Sequence, residues 1–250
     1  MAEPVPPHEE FIEGVAIRDV TIDENSGLSV RIYLPQHEPD HHTDNSDKLP
    51  LIVHFHGGGF CISQADWYMY YYIYSRLARS APAIVVSVNL RMAPEHRLPA
   101  AIDDGVFLIG DSSGGNLVHH VAARAGQVDL SPMRLAGGIP VHPGFVRSER
   151  RQVRDGATRV TFLNPRHAPP LDSLNLPPFL LCVAEADLIR DTEMEYYEAM
   201  KKANKAVELL INPGVGHSFY LNKIAVDMDP HTAAQTTGLL EGIVEFIKKH

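Results

Sequence analysis

The chain is short of cysteine, of basic charge and of long apolar runs, and each shortage closes off a class of protein. Among 250 residues there are two cysteines, Cys61 and Cys182, each inside an apolar stretch. Two thiols do not make a disulfide scaffold; they fit buried side chains in a reducing compartment. No run approaches the roughly 18 apolar residues that a membrane span needs. The opening Met1-Ala2-Glu3-Pro4-Val5-Pro6-Pro7 has neither a basic start nor an apolar stretch, so it does not read as a signal peptide. A cytoplasmic enzyme is the expectation. Lys and Arg number 22 against 31 Asp and Glu, a formal charge of −9. That balance argues against nucleic acid or an anionic membrane as partner and serves solubility. The 14 histidines show no metal-ligand spacing, because His41-His42 and His119-His120 are adjacent pairs that cannot share a helix face. Neither metal nor cofactor is expected.

What is present is an alternation of strands and helices long enough for one large α/β domain. Residues 15–22 and 28–34 alternate apolar and polar around the turn signal Asn25-Ser26-Gly27, which predicts a hairpin. Polar residues 37–48 read as a surface loop. Residues 51–55, 83–88, 106–109, 135–141, 179–184 and 207–211 read as buried strands. Helical patterns lie at 66–78, at 192–204 behind Asp191 as N-cap, and on the face formed by Leu239, Leu240, Ile243, Val244 and Ile247. Leu117, Val118, Val121 and Ala122 form a further apolar helix face. Such alternation implies a mostly parallel sheet with helices on both faces. Between residue 90 and residue 106 only 100–104 looks helical, which is short for a parallel crossover. Residues 147–167 are rich in arginine and have little periodicity.

The chemistry starts at Gly110-Asp111-Ser112-Ser113-Gly114-Gly115, between a predicted strand and a predicted helix. Gly-x-Ser-x-Gly in that setting is a strained turn that lifts a serine hydroxyl above the sheet. Ser112 is therefore the candidate nucleophile. Acyl transfer by serine also needs a base, an acid to orient the base, and donors for the oxyanion. Asp187 follows the strand 179–184, with Glu185 and Asp191 as alternatives. His217 lies in Gly214-Val215-Gly216-His217-Ser218-Phe219, beyond the last strand, so the order is Ser, Asp, His as this architecture requires. Consecutive glycines in His56-Gly57-Gly58-Gly59-Phe60 let amide groups face a small anion. Gly57, Gly58 and the N–H of Ser113 are the candidate oxyanion donors. A phosphate loop would need Lys and Ser or Thr after the glycines, and Phe60-Cys61 supplies neither. The side chain of His56 reads as a brace for that loop. The tyrosines 68, 70, 71, 72 and 74 read as helix packing. Asp111 and Asn116 are expected to hold the loops around the serine turn.

These motifs, together with Arg91-Met92-Ala93-Pro94-Glu95-His96 and Asp187-Leu188-Ile189-Arg190-Asp191, resemble those of plant carboxylesterases of the hormone-sensitive-lipase group. The similarity runs from about Glu9 to the C-terminus. It implies an α/β-hydrolase fold, hydrolysis of small or short-chain carboxylic esters, a small-molecule ester as partner and no cofactor. The family's triad falls on Ser112, Asp187 and His217, and its oxyanion hole on Gly57, Gly58 and Ser113. The group also contains gibberellin receptors, which lack the catalytic histidine, and dehydratases. Against the family pattern this chain starts at an internal position and lacks a helix between Asp104 and Gly105. Its lid is truncated. The expectation is one domain over 1–250, with 1–13 and 146–178 as remnants of the lid region, and with apolar sheet surface left uncovered by the missing crossover helix. A receptor-like or inactive truncated isoform is the alternative.

Overall fold

The computed structural model describes residues 2–25, 27–36, 49–58, 62–89, 106–131, 134–145 and 170–250. The expected surface loop at 37–48, the short helical stretch at 100–104 and the arginine-rich segment 147–167 lie outside the described residues. So do the motif at 91–96 and the last residues of the glycine loop, Gly59 and Phe60.

Along the chain come β1 (His8–Ile12), β2 (Val15–Asp23), β3 (Leu28–Pro35), β4 (Leu51–Phe55), α1 (Tyr68–Ser80), β5 (Ile84–Asn89) and β6 (Val106–Asp111). Then follow α2 (Ser113–Ala125), β7 (Leu135–Val141), β8 (Phe179–Ala184), α3 (Arg190–Lys202), β9 (Val207–Asn212), α4 (Lys223–Met228) and α5 (Pro230–Lys249). The strands form one sheet in the order β1-β2-β3-β5-β4-β6-β7-β8-β9. Pairing is antiparallel from β1 to β5 and parallel from β5 onward. The predicted hairpin is β2–β3, with Ile17 opposite Tyr33.

The continuous apolar runs of β6, β7 and β8 follow from their place mid-sheet, where both faces are covered. Phe107 and Ile109 of β6 join one core cluster with Leu77 of α1 and Ile243 and Phe246 of α5. The rings of Phe107 and Phe246 meet edge to face at 6.2 Å. Val106 and Leu108 join the opposite cluster with Val118 and Ala122 of α2 and Tyr196 and Met200 of α3. The expected uncovered apolar surface is thus absent at β6, whose four apolar residues are buried. Val20, Ile32, Val53 and Val86 of β2 to β5 pack on the second cluster and are partly buried.

Two expectations are corrected. Residues 8–12, grouped with the lid region, are instead the edge strand β1, paired with β2. Asp191 is not an N-cap: α3 starts at Arg190, with Ile189 before it and no side-chain cap. Asp191 lies in the first turn, where its charge still favours the helix dipole.

Burial sets how this fold responds to acid. The rings of His54 and His142 are pushed down to about 4, and that of His119 to about 3, mainly by desolvation. In the unfolded chain such groups take a proton near 6.5, so acid favours unfolding between that value and the lowered native ones. Glu193 works the other way: burial first, then the nearby Asp187, push its carboxyl up to about 9. Its neutral native form therefore gains relative stability as pH falls toward the usual carboxyl range. From pH about 6.5 to about 5 the three histidines together outweigh Glu193, so the fold loses stability as acid is added. Urea unfolding at the two pH values should show that fall; equal midpoints would contradict it.

Candidate active site

The site is assembled at the ends of the parallel strands, where an open α/β sheet leaves loops free to converge. β6 runs directly into α2, and Ser112 is the single residue between them. It has φ +52°, which L side chains rarely adopt. The turn is held on both sides, as the Ser112 N–H donates to the Val141 carbonyl (3.0 Å) and the Ser112 carbonyl accepts from Gly144 N–H (2.7 Å). Gly114 lets α2 start against β4, since a Cβ there would lie 2.0 Å from the Phe55 carbonyl oxygen. Ser112 stands at the N-cap position, yet its hydroxyl makes no capping bond. It is left available for other chemistry.

Asp187 lies just past β8 and is buried, while the His217 side chain, in the loop after β9, is about one-third exposed (36%). His217 Nδ1–H donates to Asp187 Oδ2 at 2.6 Å. The other oxygen, Oδ1, accepts the N–H of Ile189 at 3.0 Å. That bond leaves Nε2 of His217 as the nitrogen free to accept a proton. The alternatives to Asp187 have other tasks. Glu185 accepts the Gly214 N–H through Oε2 (2.9 Å) and so braces the loop leading to His217, and Asp191 sits inside α3. Backbone bonds from Glu185 N–H to Asn212 and from Ala186 N–H to Val215 knit the two loops together. Among the described residues no hydrogen bond joins the Ser112 hydroxyl to His217; the elbow is tied to the pair through the backbone of residues 141–144. Catalytic contacts of this kind are often long before substrate binds.

The glycine loop after β4 rests on a buried polar network. Asp111, the last residue of β6, accepts the Gly57 N–H through Oδ1 at 3.1 Å. The same oxygen faces Nε2 of His54 at 3.4 Å, and Oδ2 faces the Tyr70 hydroxyl at 3.5 Å. Tyr70 also accepts from Gly57 N–H (3.1 Å), and Nδ1 of His54 accepts from Ser87 at 2.6 Å. Gly57, expected as an oxyanion donor, has its N–H turned inward onto these acceptors. Gly58 has φ +110°, and a Cβ there would lie 1.9 Å from the Ile62 carbonyl oxygen, so only glycine fits. Nδ1 of His56 sits 2.8 Å from the Gly57 carbonyl, the bracing role expected of it.

Sequence reasoning missed two participants. Tyr70 reads as one of five tyrosines at helical spacing, and nothing in that pattern marks the one whose hydroxyl reaches the glycine loop. His142 follows β7 with no motif around it, yet it is fully buried beside His217, their ring centroids 5.9 Å apart. His142, Asp187 and His217 are, among the described residues, the one cluster compact enough to hold a cation, with donor atoms within 4.8 Å of one another. Asp187 and His217 bond each other, and His142 accepts the Ser218 N–H at 3.0 Å, so the cluster is already knit by hydrogen bonds. Among the described residues no helix is long and apolar enough to cross a membrane.

A family model described as the alpha/beta hydrolase fold matches residues 52–106 and 104–221. The two stretches overlap at residues 104–106. The chain is 33% identical over 257 residues to probable carboxylesterase 6 of Arabidopsis thaliana, spanning 83% of this chain and 75% of that protein. It is 35% identical over 275 residues to a gibberellin receptor of the same plant, spanning 87% and 78%. A hyperthermophilic esterase from the archaeon Pyrobaculum calidifontis superposes with a TM-score of 0.67 at 25% identity, spanning 93% of this chain and 83% of that one. With the serine elbow, the glycine loop and the Asp187–His217 pair in place on this sheet, the chain belongs to the α/β-hydrolase family, among the plant carboxylesterases of the hormone-sensitive-lipase group.

Proposed function

We propose that the protein is a serine carboxylesterase that hydrolyses small or short-chain carboxylic esters through an acyl-enzyme. The observation that carries this reading is the 2.6 Å bond from His217 Nδ1–H to the buried Asp187, which orients the ring with a free Nε2. Nε2 of His217 takes the proton of the Ser112 hydroxyl as Oγ attacks the ester carbonyl carbon. The carbonyl oxygen becomes an oxyanion, received by the N–H groups of Gly58 and Ser113. Collapse breaks the bond to the alcohol, which leaves with the proton held by His217. Water, deprotonated by the same Nε2, then attacks the acyl carbon and releases the acid, restoring Ser112. Asp187 keeps its charge throughout and stabilises the imidazolium that forms. Gly57 serves as an anchor of the loop in this scheme and not as a donor, because its N–H points to Asp111 and Tyr70.

Kinship with a gibberellin receptor motivates a second reading, a binding module using the same pocket. A receptor has no use for an oriented acid–base pair, and this chain has one.

Turnover of short p-nitrophenyl esters by the purified protein separates the two. Ser112→Ala should lower kcat by roughly 10⁴-fold or more at unchanged thermal stability. Turnover that survives Ser112→Ala, or saturable ligand binding with no turnover at all, rules the esterase out. Asp111→Ala releases the Gly57 N–H and the His54 ring, and should lower kcat by about 10²-fold through a misplaced oxyanion loop. It should also cost about 1–3 kcal/mol of stability in urea unfolding, from buried donors left unpaired. A variant with wild-type kcat would show that the loop holds itself.

A further inference from the structure

His142 takes no part in the chemistry just proposed, yet it is held closely at the site. It follows β7, is fully buried, and holds φ +45°. Its own N–H donates to the Cys182 carbonyl at 2.9 Å, which fixes its backbone to β8. Its ring lies between 5.7 and 5.9 Å, centroid to centroid, from the rings of His217, Phe219 and Tyr220. The N–H that its Nδ1 accepts, at 3.0 Å, belongs to the peptide joining His217 to Ser218. Ser218 has φ +51°, again a conformation L residues rarely take. Such a conformation persists only where neighbours hold it, so the group that grips the Ser218 N–H helps set how the adjoining His217 projects.

The same short segment also grips the nucleophile. The carbonyl of Val141 and the N–H of Gly144 bond the two sides of Ser112, and His142 stands between them in sequence. We propose that His142 is a positioning residue that sets the orientation of His217 relative to Ser112 by accepting the Ser218 N–H. The task needs an unprotonated Nδ1, which places the ring proton on Nε2. Burial secures that form: desolvation, followed by the His217 charge, outweighs Asp187 and Asp111 and keeps the ring neutral down to about pH 4. Nε2 itself has no hydrogen-bond partner, so the useful part of the side chain is the one acceptor atom. The proposal rests on the esterase reading, and its test includes a readout that does not.

The experiment compares His142→Phe, which keeps a packing ring without the acceptor, with His142→Asn, whose Oδ1 can stand where Nδ1 stood. With p-nitrophenyl acetate, His142→Phe should lower kcat about 30- to 100-fold with KM within about twofold. His142→Asn should restore most of that loss, to within about fivefold of wild type. Amide exchange followed by NMR should show the Ser218 N–H protected in the wild type and in His142→Asn, and at least tenfold faster in His142→Phe. Unchanged kcat in a folded His142→Phe overturns the proposal, as does an equal loss in both variants, which marks a packing role only. If His142→Phe does not unfold cooperatively, His142→Leu replaces it. If neither folds, His142→Asn decides alone: near wild-type kcat with a protected Ser218 N–H supports the proposal, and loss of either overturns it. If wild-type turnover does not depend on Ser112, the esterase reading fails, and Ser218 exchange alone judges His142: protection kept in His142→Phe overturns its role, and protection lost there but kept in His142→Asn supports it.

Discussion

A carboxylate that water cannot reach organises the centre of this molecule. Asp111 is 2% exposed, and its two oxygens face the Gly57 N–H, the His54 ring and the Tyr70 hydroxyl. A buried charge is tolerable only when its surroundings satisfy it, so each of those partners is under an obligation to stay where it is. Through them the obligation spreads to β4, to α1 and, by way of Ser87, to β5. Because Asp111 is the residue before Ser112, the serine elbow inherits the same fixed point. The glycine loop and the elbow thus keep their spacing by sharing one carboxylate.

Strain gathers at the same edge of the sheet. Six non-glycine residues with positive φ occur among the described residues, and Ser63, Ser112, His142 and Ser218 border the site. Such conformations cost of order 1–3 kcal/mol each and survive only where neighbours over-determine them. Here the neighbours are identifiable. Ser112 is clasped by Val141 and Gly144, Ser218 by His142, and Ser63 by its hydroxyl bond to Tyr70 at 3.3 Å.

How much of this was legible in advance depends on range. The strands at 51–55, 135–141 and 179–184 could be bounded to the residue, because a buried strand is a short apolar run with clear ends. The strained turn at Ser112 and the loops that carry Asp187 and His217 were readable as well, since such turns are written in adjacent residues. Interactions between distant segments were not. Asp191 has the composition of an N-cap, but the demands of Asp187 and Ile189 start the helix two residues earlier than expected. Gly57 looks like its neighbour Gly58, and only the positions of Asp111 and Tyr70 turn one amide inward. Residues 8–12 carry little apolar patterning because an edge strand is largely exposed, so β1 had no signal to find.

The parallel order β6, β7, β8, β9 has a further consequence, for folding. Ser112, Asp187 and His217 come from the turns and loops beyond β6, β8 and β9, and His142 follows β7 between them. No hairpin or single crossover unit contains the whole set, and bringing the three loops together requires closing long stretches of chain first. The site is therefore among the last features to form as the chain collapses and among the first to be lost when the sheet loosens. Its geometry depends on the sheet from β6 to β9 being complete, and a partly folded population would keep much of its helix and strand content while the three loops stay apart.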